Sequence, residues 1–160
     1  MRAGKIANLP SGRSLPSVTA NQRMSVNPTP TTPEKILIYV VDDEEPLLEL
    51  VELSLQDEDY ALKKFLSPVE ALAAFNQEPR KPCLLVTDFA MGGMNGLQLS
   101  QKCKSVHPSL KVLMVSGNAG AEIVLCEPVQ VDEFISKPYQ PKHLASRVRV
   151  LVQSCPAPPP

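Results

Sequence analysis

Lys35-Ile-Leu-Ile-Tyr-Val-Val-Asp-Asp-Glu-Glu-Pro46 is a near-continuous apolar run that stops on two carboxylates and then a proline. A short apolar run without alternation reads as a strand covered on both faces. The pattern recurs three times along the chain. Cys83-Leu-Leu-Val-Thr87 runs into Asp88, Lys111-Val-Leu-Met-Val115 into Ser116-Gly117, and Val131-Asp-Glu-Phe-Ile-Ser136 into Lys137-Pro138. In an open parallel sheet the ligand site lies outside the carboxyl ends of the strands, where strand order reverses. The four runs therefore deliver three carboxylates, one hydroxyl and one ammonium to a single edge.

Helical patterns separate these strands. Glu45-Pro46 opens a helix with proline at an early position, and Leu47, Leu48, Val51 and Leu55 share one face. Tyr60–Leu66 reads as a short second strand. Ser67-Pro-Val-Glu70 is a capping box opening a helix to about Gln77, and Glu78-Pro-Arg-Lys-Pro82 forces a turn. Asn95-Gly-Leu-Gln98 opens another helix to about Val106, which His107-Pro108 stops. Ala121–Cys126 reads as a short fourth helix before Pro128. After Pro141, Leu144, Ala145, Val148, Leu151 and Val152 keep a helical period. Five β-α units in sequence predict an α/β fold with a doubly wound five-stranded parallel sheet.

The chain has 160 residues, enough for one ordinary domain. Residues 1–34 hold five of the 17 prolines, with many Ser, Thr and Asn and no lasting period, and are expected to be disordered. The domain is expected over residues 35–154, with 155–160 a Pro-rich tail that cannot extend a helix. Charge is uneven: residues 1–35 carry five Lys/Arg against one acid, while the rest carries 11 against 16. An acidic folded body argues against nucleic-acid binding by that body, and the sparse basic tail reads as a solvated leader. No apolar run nears the ~18 residues of a membrane span, and no secretory signal is evident. The N-terminus is acid-poor, as in organelle transit peptides, but its prolines interrupt any amphipathic helix. Cys83, Cys103, Cys126 and Cys155 show no C-x-x-C spacing. They are expected to be buried free thiols in a reducing, cytoplasmic setting.

Oxygen ligands beside a lysine suit a divalent metal and a phosphoryl group. Unscreened, Asp42, Asp43 and Asp88 would repel one another, and a bound Mg²⁺ relieves that repulsion. Asp88 can act as a nucleophile toward phosphorus, with Lys137 neutralising phosphoryl oxygens and Ser116 offering a hydroxyl donor. Taken singly these residues have plainer readings: an acidic helix N-terminus for Asp42-Asp43-Glu44-Glu45, a loop-capping Asp88, a surface Lys137. Their joint position at strand ends favours the site. His107 and His143 fall on separate helices, away from those ends.

Four motifs together resemble the receiver domain of two-component response regulators: Val-Val-Asp-Asp-Glu-Glu-Pro (40–46), Val-Thr-Asp-Phe-Ala-Met-Gly-Gly-Met-Asn-Gly (86–96), Met-Val-Ser-Gly (114–117) and Phe-Ile-Ser-Lys-Pro (134–138). The resemblance covers about residues 35–154. It implies a flavodoxin-like sheet of strand order 2-1-3-4-5. It implies that Asp88 is the phosphoacceptor and that Asp42 and Asp43, with Asp88 and the Ala90 main-chain carbonyl, hold Mg²⁺. Ser116 and Phe134 would be the switch residues, Lys137 the phosphoryl contact, and Lys137-Pro138 a cis peptide. A sensor histidine kinase or phosphotransfer protein would be the donor and another protein the downstream target. Only about six residues follow the last helix, so a stand-alone receiver is expected.

The chain departs from the family where the usual Pro is replaced by Gly92, with Gly93 beside it, and where Ala90 leaves phosphoryl lifetime open. The short fourth helix puts the usual dimer mode in doubt. Other readings are weaker. An aspartyl-nucleophile phosphatase lacks its second acid at Ala90. A flavin protein lacks a phosphate loop after the first strand. A receiver-shaped scaffold that is never phosphorylated remains open.

Overall fold

A computed structural model describes residues 35–117 and 131–155; the segments 1–34, 118–130 and 156–160, with the helix expected at Ala121–Cys126, lie outside the described residues. The apolar runs form β1 (Ile36–Val41), β2 (Tyr60–Phe65), β3 (Leu84–Asp88), β4 (Lys111–Ser116) and β5 (Glu133–Ser136). The helices are α1 (Glu45–Ser54), α2 (Pro68–Gln77), α3 (Gly96–Val106) and α4 (Pro141–Gln153). All pairings are parallel and the sheet order is β2-β1-β3-β4-β5, the flavodoxin-like order.

Strand alternation splits the core into two layers. Ile38, Val40, Leu84, Val86, Leu113, Val115 and Ile135 pack on Leu48, Val51 and Leu55 from α1 and its C-cap, and on Leu144, Val148, Leu151 and Val152 of α4. Their neighbours Leu37, Tyr39, Val41, Leu85, Val112 and Met114 face the other way, onto Ala71 and Phe75 of α2 and Leu97 and Cys103 of α3. Each fully buried side chain of this size contributes roughly 1.5–3 kcal/mol. Burial of both faces is why β1, β3 and β4 read as unbroken apolar runs. Edge strand β2 is only partly covered and tolerates Lys63 and Lys64.

Helix starts follow local chemistry. Asn95 Oδ1 accepts the Gln98 N–H at 2.8 Å and Gln98 Oε1 accepts the Asn95 N–H at 3.1 Å, a complete capping box. Ser67 Oγ accepts from Glu70 N–H at 3.5 Å, with Pro68 beginning α2. Strand β5 begins at Glu133, two residues later than the sequence suggests. Asp132 ends the preceding segment: its N–H donates to Val112 O, and its carboxylate accepts from Val112 N–H, Lys104 and Lys111.

One expectation is corrected. Cys83 and Cys155 are not free thiols but are joined in a disulfide, with Cα atoms 6.0 Å apart. Cys103 is free and buried as expected; Cys126 lies outside the described residues. The partners are 72 residues apart in sequence. They meet because the end of α4 lies over the start of β3, a relation no local spacing encodes. Among the described residues no helix is long and apolar enough to cross a membrane.

Candidate functional site

The chain leaves β1 toward β2 on one side and enters β3 on the other, so the β1/β3 boundary is where strand order reverses. Asp42 follows β1 and Asp88 ends β3 there. Ser116 ends β4, and the Lys137 N–H donates to Ser116 O at 2.7 Å, bringing the residue after β5 to the same edge. The Lys137–Pro138 peptide is cis, as the resemblance implies.

Lys137 Nζ lies 2.7 Å from Asp88 Oδ1 and 3.1 Å from Asp42 Oδ2. Both acids are buried. Their other oxygens are also engaged: Asp42 Oδ1 accepts the Glu44 N–H at 2.9 Å, and Asp88 Oδ2 accepts the Ala90 N–H at 2.6 Å. Asp43 is exposed, and its Oδ2 accepts the Gly92 N–H at 3.3 Å across the rim. Burial pushes the Asp42 carboxyl above its usual value, against the Glu44 amide and Lys137, which pull it down; the charge of Asp88 adds to the rise. Burial alone would lower the Lys137 ammonium, but Asp88 and Asp42 together hold it above the ordinary lysine value. The asymmetry is physical: Lys137 gains two anions, whereas Asp42 exchanges water for one amide and one shared ammonium.

Ser116 is buried and its hydroxyl donates to Gly117 O at 3.0 Å, not to Asp88. Phe134, opposite Met114 in the sheet register, is half-buried against the α2/α3 layer. His107 pairs with the Ser109 hydroxyl and His143 with Arg147, each within its own neighbourhood.

Two contributions were not read from the sequence, one at Gly96 and one at the main-chain amide of Gly92, which stood out there only as a departure from the family's usual Pro. A Cβ on Gly96 would lie 2.1 Å from the Asp88 carbonyl oxygen and 3.0 Å from Thr87 Oγ1, so only glycine lets α3 begin so close to the acceptor strand. The signal was present: a glycine directly after an N-cap asparagine, where a helix has no need of one. The second is the Gly92 amide, a donor that a proline could not supply. Gly93 holds φ of +81°, so the left-handed turn falls there.

Among the described residues no three His, Cys, Asp or Glu side chains close into a metal cluster. Asp42 and Asp88 are bridged by Lys137, while Asp43 reaches toward Gly92. The donor set nonetheless fits a hard cation that keeps most of its waters and needs only one or two carboxylates. All side-chain donors are oxygens, and Asp43 is open to solvent.

Residues 38–149 match the response regulator receiver domain family. The chain is 30% identical over 112 residues to the regulatory protein VanR of Enterococcus faecium, covering 70% of this chain and 48% of that protein. It therefore spans about half the length of that curated relative. Among solved structures it resembles the receiver domain of NtrX from Brucella abortus, with TM-score 0.66, 32% identity, and coverage of 73% of this chain and 98% of that one. A response regulator receiver domain protein (CheY-like) from Methanospirillum hungatei JF-1 aligns with TM-score 0.67 and 26% identity, covering 75% and 95% of the two chains.

Proposed function

The chain belongs to the response regulator receiver domain family, and from that premise we propose that it accepts a phosphoryl group on Asp88 in a His-Asp phosphorelay. The observation that carries this reading is the Lys137 ammonium set between Asp88 and Asp42 at the sheet's switch point. An Asp88 carboxylate oxygen attacks the phosphorus of a donor phosphohistidine. The O–P bond forms as the N–P bond breaks, and the leaving imidazole is protonated. Lys137 keeps its charge throughout, because two acids hold its proton, and it neutralises the acceptor before transfer and phosphoryl oxygens after it. The Ala90 N–H orients the acceptor carboxylate.

Asp43, Asp42 and Asp88, with the Ala90 carbonyl, would hold Mg²⁺, which when bound supplies charge neutralisation for the transferring phosphoryl group. Ser116 would exchange its bond to Gly117 O for a phosphoryl oxygen, and Phe134 would turn further inward behind it. The donor is a sensor histidine kinase or phosphotransfer protein of the cytoplasm, and the output is a shifted surface for another protein. The reaction is self-phosphorylation and dephosphorylation only, not turnover of a free substrate. The acidic folded body supports protein rather than nucleic acid as its own partner.

Incubation with a small phosphodonor and Mg²⁺ tests this by intact mass: a gain of about 80 Da is expected, the mass of one phosphoryl group. Chelation of the metal or Asp88→Asn should remove the gain; its persistence in Asp88→Asn would contradict the assignment. No gain under any phosphodonor would favour a receiver-shaped scaffold.

A further inference from the structure

The geometry points to the Cys83–Cys155 pair as a reversible thiol–disulfide site that fastens the end of α4 to the sheet, poised by low-molecular-weight thiols of the glutathione class. The two halves of the bridge differ in rigidity. Cys83 is anchored across three strands: its N–H donates to Leu37 O at 2.9 Å, and its carbonyl accepts the Lys111 N–H at 3.0 Å. Cys155 sits just beyond α4, held by one backbone bond to Val152 O at 3.1 Å. Leu144, Val148, Leu151 and Val152 bury one face of α4 against the sheet, and the exposed Gln153 and Ser154 follow the last of them. The disulfide therefore adds its constraint just beyond the last buried residue of the helix.

Both cysteines are half-buried rather than sealed in the core. Cys103 is a contrast within the same domain. It is 2% exposed, and burial pushes its thiol up to about 12, which leaves it inert. Oxidation balances with one small disulfide. One cysteine thiolate attacks a sulfur of the small disulfide and releases a thiolate. The second cysteine attacks the mixed disulfide and releases another. Two electrons pass from the protein sulfurs to the two departing thiols, which carry off the two protons. In a reducing compartment such a bond is characteristically transient and redox-sensing rather than structural. The pair lies at the amino end of β3, five residues and roughly 17 Å of extended strand from Asp88. The constraint therefore acts on α4 without entering the phosphoryl site.

The test equilibrates the full chain in glutathione buffers of graded ratio, traps free thiols with a maleimide, and maps the products by mass. Amide hydrogen exchange is read on peptides covering residues 148–155 in each state. A Cys83–Cys155 cross-link that forms and opens with the ratio is expected, with slower exchange at the end of α4 when it is closed. Closing a loop of this length should also favour the folded state by roughly 10²- to 10³-fold in the unfolding equilibrium constant. Cys155→Ser should behave as the open form at every ratio, and Cys126→Ser should retain the cross-link. No bridge at any ratio, a bridge to Cys103 or Cys126 instead, or identical exchange in both states would overturn the proposal.

Discussion

Replacing Lys137 with methionine removes one ammonium while keeping the apolar stem, and its effect can be worked from the geometry. Two charge-assisted contacts are lost, at 2.7 Å to Asp88 and 3.1 Å to Asp42, from a side chain that is 22% exposed. Hydrogen bonds to charged groups contribute about 1.5–3 kcal/mol each, and breaking a buried pair from one side costs about 3–5 kcal/mol. Two effects offset this. The lysine no longer has to be desolvated, and the exposed rim at Asp43 lets water and counter-ions reach the two acids. The net loss in metal-free buffer at neutral pH should be about 2 kcal/mol, with a ceiling of about 4.

The loss should also depend on pH. A carboxyl raised in the folded state binds more protons folded than unfolded, so its contribution to stability declines as pH rises. Asp42 is already raised and loses a compensating cation in Lys137→Met, so the deficit is largest at neutral pH and shrinks as pH falls into the carboxylate range. Urea denaturation with chelator present measures the difference, and Asp88→Asn alone and combined with Lys137→Met completes a double-mutant cycle. The combined loss should be smaller than the sum of the single losses. Wild-type stability in Lys137→Met, or strict additivity in the double variant, would refute the bridging role.

The remaining predictions concern the frame around the site. Burial would raise Asp132, but Lys104, Lys111 and the Val112 N–H outweigh it and hold the carboxyl below its usual value. That stabilisation is present above the unfolded carboxylate range and is lost as pH falls through the lower folded value. Asp132→Asn should therefore lose about 1–2 kcal/mol at neutral pH and converge on wild type well below pH of about 4, read by thermal melts across pH. Gly96→Ala forces a methyl group onto the Asp88 carbonyl oxygen and should lose about 1–3 kcal/mol. Gly92→Ala meets nothing within 4 Å and should stay within about 0.5 kcal/mol of wild type. Equal losses at the two glycines in urea titrations would contradict the close approach of α3 to β3.

The architecture was legible because burial on both faces imprints itself directly on composition. β1, β3 and β4 carry consecutive apolar positions; β3 and β4 end on Asp88 and Ser116, and Asp42 directly follows β1. The capping box at Asn95 and Gln98 was equally readable, since both of its bonds are local. Other features depend on relations that one segment does not contain. The disulfide needs the end of α4 and the start of β3 in register, and the role of Gly96 needs the distance between two backbones. The late start of β5 needs Asp132 to meet two lysines from other elements. Site positions could be read at the ends of strands, but not the partition of their oxygens. The sequence offers Asp42 and Asp43 as an equal pair, whereas Asp42 is buried against Lys137 and Asp43 is exposed at the Gly92 amide.

The central claim is that Asp88 takes the phosphoryl group. Treating the full chain with phosphodonor and Mg²⁺, trapping any acyl phosphate by borohydride reduction, and sequencing the peptides by mass reads the acceptor position directly. The account predicts homoserine at position 88 and aspartate retained at 42 and 43. Reduction product at another carboxylate, with position 88 unchanged, would contradict it.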